Sequence, residues 1–367
     1  MRIAYLSGSY VPDRGADSVH VIRMCEAFAS LGHDVTLHAR PGKEPVESDA
    51  AFYGITHPFR IQKHSRPQVR AWGAFVYAGL ATVHLGRHEK PDLIYAREIY
   101  GMMFALKLGI PFVFESHWRC RHLPQKLAET AMLRSAACKR LVVISAALRR
   151  IYRETFPWFP EDRIVVAHDA ANVPEVSGQP PFRAAATGGA TRLQVGYVGG
   201  FLPGYGLDVI AALARARPQD DFHIVGGREE ALATWQARTA GVSNLRWHGF
   251  VAPSRLASLY AEFDVMLAPF QSSAAHIEWI SPMKLFEYMA QGKAIICSDF
   301  PVMREILTDG QDALLVPASD LEAWGRALDR LTQPTPRAAL AESARRKLLS
   351  SHTWRVRAEQ VIARLPA

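Results

Sequence analysis

Lys284 and Glu287, in the stretch SPMKLFEYMAQGKAIICSD from Ser281 to Asp299, are the first residues whose types and spacing could do chemistry. Three apart on a helix, they share one face: a cation beside a carboxylate, amid Met283, Leu285, Phe286, Tyr288 and Met289. As a solvated pair they would contribute only about 0.2–0.5 kcal/mol. Two loops offer a second chemistry. VGYVGGFLPGYGLD carries Gly196, Gly199, Gly200, Gly204 and Gly206, and SGSYVPDRGADSVH sets Gly15 and Ala16 ahead of a helix with Asp17 or Ser18 as its expected cap. Small residues at a helix N-terminus let an anion approach free backbone N–H groups and the positive end of the helix dipole.

Other chemistries fail on spacing. Nicotinamide binding asks for G-x-G-x-x-G; Gly204 and Gly206 fit its first two positions, but Val209 stands at the third. None of the fourteen histidines forms H-E-x-x-H, and His117 with His122 lacks a third ligand at recognisable spacing, so no metal is expected. No G-x-S-x-G elbow occurs. Phosphate-friendly glycine loops and a carboxylate near the end of the chain remain.

The elements that must position these residues are short apolar runs alternating with helical segments. RIAYLSGSY precedes a helix expected at Ser18–Leu31, with Val21, Met24, Cys25 and Phe28 at helical spacing and Gly32 as its stop. DVTLHAR, DLIYAR, PFVFESH, RLVVIS and RIVVAHD follow. Val173–Thr191 is rich in Pro, Gly, Ala and Ser and has no apolar period; the linker is expected at 177–189. The alternation then resumes with LQVGYVGG, DFHIVGG, LRWHGFV, DVMLAPF and KAIICSD. Ahead of the last strand, Ser281 is the expected cap, Pro282 suits the first turn, Met283–Gln291 reads as helix and Gly292 ends it. Strands separated by helices imply parallel βαβ units, and near-continuous apolar strands imply sheets covered on both faces. A chain of 367 residues exceeds one core. The expectation is α/β: two doubly wound domains, 1–176 and 190–351, with ligands in a cleft at the carboxyl ends of their strands.

Composition narrows the partners. With 49% apolar and 21% charged residues the chain is neither disordered nor membrane-spanning in type. MRIAYLSGSY lacks the form of a signal peptide, and no apolar run reaches about 18 residues, so a cytoplasmic location is expected. Four cysteines without C-x-x-C read as reduced, buried small residues. The net charge of +8 is uneven: residues 1–180 hold 23 Lys and Arg against 17 Asp and Glu. Within 60–90, Arg60, Lys63, Arg66, Arg70, Arg87 and Lys90 face a single acid, Glu89, and interleave with Trp72, Phe75, Tyr77 and Leu80. That pattern suits an anionic membrane surface, or equally a surface helix with a solvated basic rim. No nucleic-acid-binding motif accompanies the charge.

The stretch SPMKLFEYMAQGKAIICSD, with VGYVGGFLPGYGLD, FHIVGG, WHGFVAPSRLASLYAEFDVMLAPF and GADSVHVIRMCEAFASLGHDVTL, resembles the retaining glycosyltransferases of family 4 with the GT-B fold, over essentially the whole chain. The resemblance implies two Rossmann-like domains facing across a deep cleft, with the final helix, Thr353–Arg364, crossing back so that 352–367 joins the N-terminal domain. Glu287 takes the place of the second glutamate of the family's E-x7-E motif, which holds the ribose hydroxyls of a nucleotide sugar; a carboxylate offers two acceptor oxygens for such a diol. The diphosphate would lie at Ser281, Pro282 and Met283 and against Gly199 and Gly200, with Phe250 and Val251 bordering the base. His117 would stand beside the donor sugar, and Gly15, Ala16 and His20 would form an acceptor-side loop.

Departures accompany the likeness. The arginine and lysine that family members set against the diphosphate fall on Gly200 and Tyr205, so Lys284 and Arg228 are expected to supply that charge. The first glutamate of the motif falls on Trp279, with Glu278 adjacent. The implied reaction is retaining transfer from a nucleotide-diphosphate sugar to a hydroxyl of a glycan or lipid-linked acceptor, in bacterial cell-surface polysaccharide or glycoconjugate synthesis. It would need no metal or cofactor and would take place peripherally at the inner face of the cell membrane. A GT-B nucleotide-sugar epimerase and a catalytically silent nucleotide-sugar-binding protein are the alternatives.

Overall fold

The computed structural model describes residues 1–42, 44–64, 73–173 and 192–365, with backbone alone at 73–75. The expected linker at 177–189 lies outside the described residues, as do Arg66, Arg70 and Trp72. Contacts divide the chain into two units: Met1–Asp169 with Trp354–Ala367, and Ala170–Thr353.

In the first unit the chain runs β1 (Arg2–Val11), α1 (Ala16–Ser30), β2 (Asp34–Pro41), α2 (Asp49–Tyr53), β3 (Arg60–Lys63), α3 (Gly73–His84), β4 (Leu93–Ala96), α4 (Ile99–Ala105), β5 (Phe112–Ser116), α5 (Leu123–Arg134), β6 (Cys138–Val143), α6 (Ala146–Thr155) and β7 (Ile164–Val166). The seven strands are parallel in the order β3-β2-β1-β4-β5-β6-β7, so β1 and β4 lie side by side where the order of connection reverses. Helix α1 begins two residues earlier than its spacing suggests, because neither Asp17 nor Ser18 caps it. Gly15 holds the capping position; its N–H donates to the Asp13 carboxylate at 2.7 Å, and Ser18, fully buried, donates its hydroxyl to the carbonyls of Asp13 and Gly15. The basic segment is not one continuous helix face either. It opens as the edge strand β3, where Arg60 pairs with Asp34 and Lys63 with Asp49.

In the second unit follow β8 (Gln194–Val198), α7 (Leu207–Ala216), β9 (Asp221–Val225), α8 (Glu229–Arg238), β10 (Leu245–Gly249), α9 (Leu256–Tyr260), β11 (Val265–Ala268), α10 (Met283–Ala290), β12 (Ala294–Ser298), β13 (Leu314–Val316), α11 (Leu321–Thr332) and α12 (Pro334–Ser351). The six strands are parallel in the order β10-β9-β8-β11-β12-β13. Alternate residues of the apolar strands enter different cores: Met266, Ala268, Ile295 and Cys297 one, Val265, Leu267, Ala294 and Ile296 the other. A sheet buried on both faces is why these strands read as unbroken apolar runs.

Helix α13 (Trp354–Ile362) returns to the first unit and packs along α1. Its C-terminal carbonyls are held by Arg140 of β6, whose guanidinium donates to Gln360, Val361 and Ala363 at 2.8–3.2 Å, a cation at the negative end of the helix dipole. Of the four cysteines, Cys25, Cys138 and Cys297 are buried; Cys120 is only half-buried, since it follows the end of β5 where the chain leaves the core.

Candidate functional site

In the second unit the order of connection reverses between β8 and β11, and ligands of doubly wound sheets bind beyond the carboxyl ends of strands at that point. The loop after β8 carries Gly199 and Gly200, and the segment after β11 leads into α10. The capping position of α10 falls on Pro282, not Ser281, in an extended conformation without a side-chain bond, and no acidic residue stands in the first turn. The N–H groups that begin a helix have no intrahelical acceptor. The capping residue of this helix therefore offers its donors no side-chain acceptor.

Lys284 is not on a solvated face. Its residue is 9% exposed, and Nζ lies 4.0 Å from the ring centroid of Tyr197, 5.0 Å from Phe270 and 5.2 Å from Tyr205, with no hydrogen-bond partner among the described residues. Burial lowers its pKa to about 7, partly offset by Glu287. It is directed at the glycine loop: a Cβ added at Gly199, whose φ is +154°, would stand 2.7 Å from Nζ. The loop is itself fixed, since Gly199 N–H donates to Val225 O at 3.0 Å and Tyr197 OH donates to Gly200 O at 2.7 Å. Tyr288 ties α10 to β8, accepting from Val198 N–H at 3.0 Å and donating to Val198 O at 3.2 Å. Glu287, one turn along from Lys284, is half-buried and accepts from Tyr260 OH at 3.1 Å.

The structure thus brings Lys284, Gly199, Gly200 and the start of α10 together, with Glu287 close by. Phe250 and Val251 follow β10, both half-buried, Val251 against the core beneath α10. Arg228 is exposed at the capping position of α8, and Glu278 is exposed beside buried Trp279.

In the first unit β5 ends in Glu115, Ser116 and His117. His117 Nε2 lies 2.5 Å from Glu115 Oε1. Burial, with Arg97 nearby, lowers His117 to about 4, so the ring is neutral; with Nε2–H donating to Glu115, Nδ1 carries the lone pair. Glu115 is fully buried and the centre of a network. Arg357 of α13 donates to both of its oxygens at 2.9 and 3.1 Å, Tyr95 OH donates to Oε2, and His20 Nε2 lies 3.1 Å from Oε1 and 3.3 Å from Asp169 Oδ1. Burial opposes ionisation of Glu115, yet Arg357 and His20 outweigh it and hold the carboxyl well below its usual range.

His20 is therefore no surface residue of a loop. Four positions after Ala16, it falls on the inner face of α1 and is 1% exposed, its ring 5.0 Å from His117 and 4.9 Å from Trp354. Gly15 and Ala16, half-buried and exposed, stand at the start of the same helix. The ligand atoms of His20, Glu115 and His117 come within 4.8 Å of one another, a spacing a metal could use. Arg357, however, already sets its positive charge on both Glu115 oxygens, which suits an ion-pair network rather than a dication. Glu115, Asp169 and Arg357 went unread in the sequence; the one signal was a carboxylate inside the apolar run FVFES.

Residues 192–333 match the family model for glycosyl transferases group 1, and residues 18–173 match that for glycosyltransferase family 4. Over 123 residues the chain is 32% identical to a phosphatidyl-myo-inositol mannosyltransferase of Mycolicibacterium smegmatis; the match takes in 33% of this chain and spans 30% of that relative's length. Among solved structures, Anabaena HepE in complex with UDP and glucose is similar with a TM-score of 0.73 at 15% identity, covering 98% of each chain. Sucrose-phosphate synthase from Thermosynechococcus elongatus gives 0.71 at 18% identity, covering 98% of this chain and 96% of that one. With two parallel-sheet α/β units, the fold is GT-B.

Proposed function

The chain belongs to the group 1, family 4-type glycosyltransferases, and on that premise we propose that it transfers a sugar from a nucleoside-diphosphate donor to an acceptor hydroxyl, with retention at the anomeric carbon. The observation that carries the reading is Lys284: a buried ammonium without an acceptor among the described residues, beside a glycine loop and a helix whose capping residue offers no side-chain acceptor. A diphosphate supplies the missing negative charge, and the helix N-terminus supplies backbone donors to it. One of the two charges that relatives carry in the loop is thus replaced from α10: Tyr205, at the position of the family's lysine, has its ring 5.2 Å from Lys284 Nζ. Arg228, exposed after β9, is a second cation for the same phosphates.

Glu287 takes the ribose diol, and Phe250 and Val251 border the base. That HepE is in complex with UDP supports uracil as that base. His117, held by Glu115, orients the donor sugar. No side chain acts as a dedicated nucleophile: a donor phosphate oxygen takes the acceptor proton on the face from which the nucleotide departs. Charge on the leaving group is offset by Lys284 and helix N–H groups, without a metal. The acceptor is a glycan or lipid-linked sugar of the bacterial cell surface. Exposed Leu80 and Val83 on α3, with exposed Arg87 and Lys90 after it, support contact with an anionic membrane at its inner face.

The test is release of nucleoside diphosphate from UDP-sugars, with and without acceptor. Acceptor-dependent release is expected; conversion of donor without acceptor would mean an epimerase, and binding without turnover a silent protein. Glu287→Ala should cost about 2–4 kcal/mol in donor binding or transition-state stabilisation. Kinetics equal to wild type would remove Glu287 from the site.

A further inference from the structure

The first unit has its own reversal point, between β1 and β4, and a cation stands there too. Arg40 lies near the carboxyl end of β2, in register with Tyr10 of β1. Its guanidinium carbon is 5.6 Å from the ring centroid of Tyr10 and 5.1 Å from that of Tyr77. Among the described residues Nε is buried without a hydrogen-bond partner, and Arg40 acts on Glu98 through its charge, opposing the rise that burial gives that carboxyl's pKa. Neighbouring arginines differ: Arg14 pairs with Glu44, Arg23 with Glu26 and Arg60 with Asp34.

The carboxylate best placed to serve Arg40 is engaged elsewhere. Glu98, just after β4, accepts from the N–H groups of Tyr100 and Gly101 and so caps α4. Gly8 keeps the space between them clear: a Cβ there would stand 3.0 Å from Glu98 Cγ and 3.5 Å from Arg40 Nη2. Contact with tyrosine rings uses the faces of the guanidinium. Its N–H groups lie in the plane and form a fork that matches an oxyanion.

We propose that Arg40 is the receptor for a phosphate group carried by the acceptor, so that this enzyme's acceptor substrate is a phosphorylated one. The inference rests on the glycosyl-transfer reading, which assigns the nucleotide to the second unit and leaves the anion of the first unit for the acceptor. A guanidinium whose neighbouring carboxylate, Glu98, is spent on capping α4 can still take an external oxyanion, and the surplus of basic residues in 1–180 favours the more highly charged phosphate.

The test is a titration of the full chain, first saturated with UDP so that the nucleotide site is filled, with glucose 1-phosphate. Saturable binding is expected. Arg40→Met, which keeps the aliphatic stem against the rings, should weaken it about tenfold to a hundredfold, the range for losing a charged hydrogen-bonding group. Arg40→Lys should restore part of the loss, and UDP affinity and Tm should be unchanged in both. Absence of binding to the UDP-saturated wild type, binding unaffected by Arg40→Met, or tighter binding of glucuronate would overturn the proposal. Vesicles containing phosphatidic acid form a second arm: loss of vesicle binding in Arg40→Met together with loss of glucose 1-phosphate assigns a lipid-borne phosphate, and loss of the sugar phosphate alone assigns a soluble one. Failure of the donor reading shows separately, as no UDP binding at the outset.

Discussion

Two buried cations, Arg357 in the first unit and Lys284 in the second, are 2% and 9% exposed, yet their surroundings are opposite. Arg357 donates to both oxygens of Glu115, to the carbonyls of Ala167 and His168 and toward Met24 Sδ. Lys284 has three aromatic rings and, among the described residues, no acceptor. The electrostatics follow suit. Burial works against the charge of Arg357, but Glu115 prevails and its pKa rises, whereas burial brings Lys284 down to about 7. A buried charge is costly unless paired. The paired cation belongs to the framework; the unpaired one is a position whose partner arrives from outside.

The largest effect that could break this contrast is on stability. Arg357→Met should destabilise by about 3–5 kcal/mol in urea unfolding, because it leaves Glu115 buried and uncompensated. Adding Glu115→Gln should recover part of the loss, and a loss below about 1 kcal/mol would mean that Arg357 is no framework residue. Lys284→Met should go the other way. Unfolded Lys284 keeps its proton up to 10.5 and folded Lys284 only to about 7, so the penalty for burying the charge is fully present below pH 7 and is relieved as pH rises toward 10.5. The variant should therefore be more stable than wild type at pH 6 and lose that advantage in alkali, while UDP affinity falls by about tenfold or more. The smallest effect is the finest probe: wild-type UDP affinity should weaken as pH rises above about 7, by at most about tenfold per unit, and Lys284→Met should abolish that slope. Calorimetry in buffers of differing ionisation enthalpy would read the accompanying proton uptake.

The fold was legible where one local pattern decides it. Apolar runs marked the strands with two buried faces, but not β3, whose RIQK alternates at an edge, nor β13, only three residues long. Helical spacing put Lys284 and Glu287 on one face of α10 without revealing that Tyr197 and Phe270, remote in sequence, close over the ammonium. His20 differs again: the resemblance put it in an acceptor-side loop with Gly15 and Ala16, whereas it lies within α1 on a turn that points inward. Arg357 and Glu115 stand 242 residues apart, and nothing local couples them. Glu287 and the loop substitutions at Gly200 and Tyr205 drew their meaning from family resemblance; periodicity alone would have left a weak surface pair.

The clamp of α13 onto β5 and β6 bears on how the chain is made. The second unit is one uninterrupted stretch, Ala170–Thr353, whereas the first unit is finished only by residues from Trp354 onward. During synthesis, Glu115 emerges from the ribosome long before the guanidinium that neutralises it. The half of the molecule translated first is thus the half completed last.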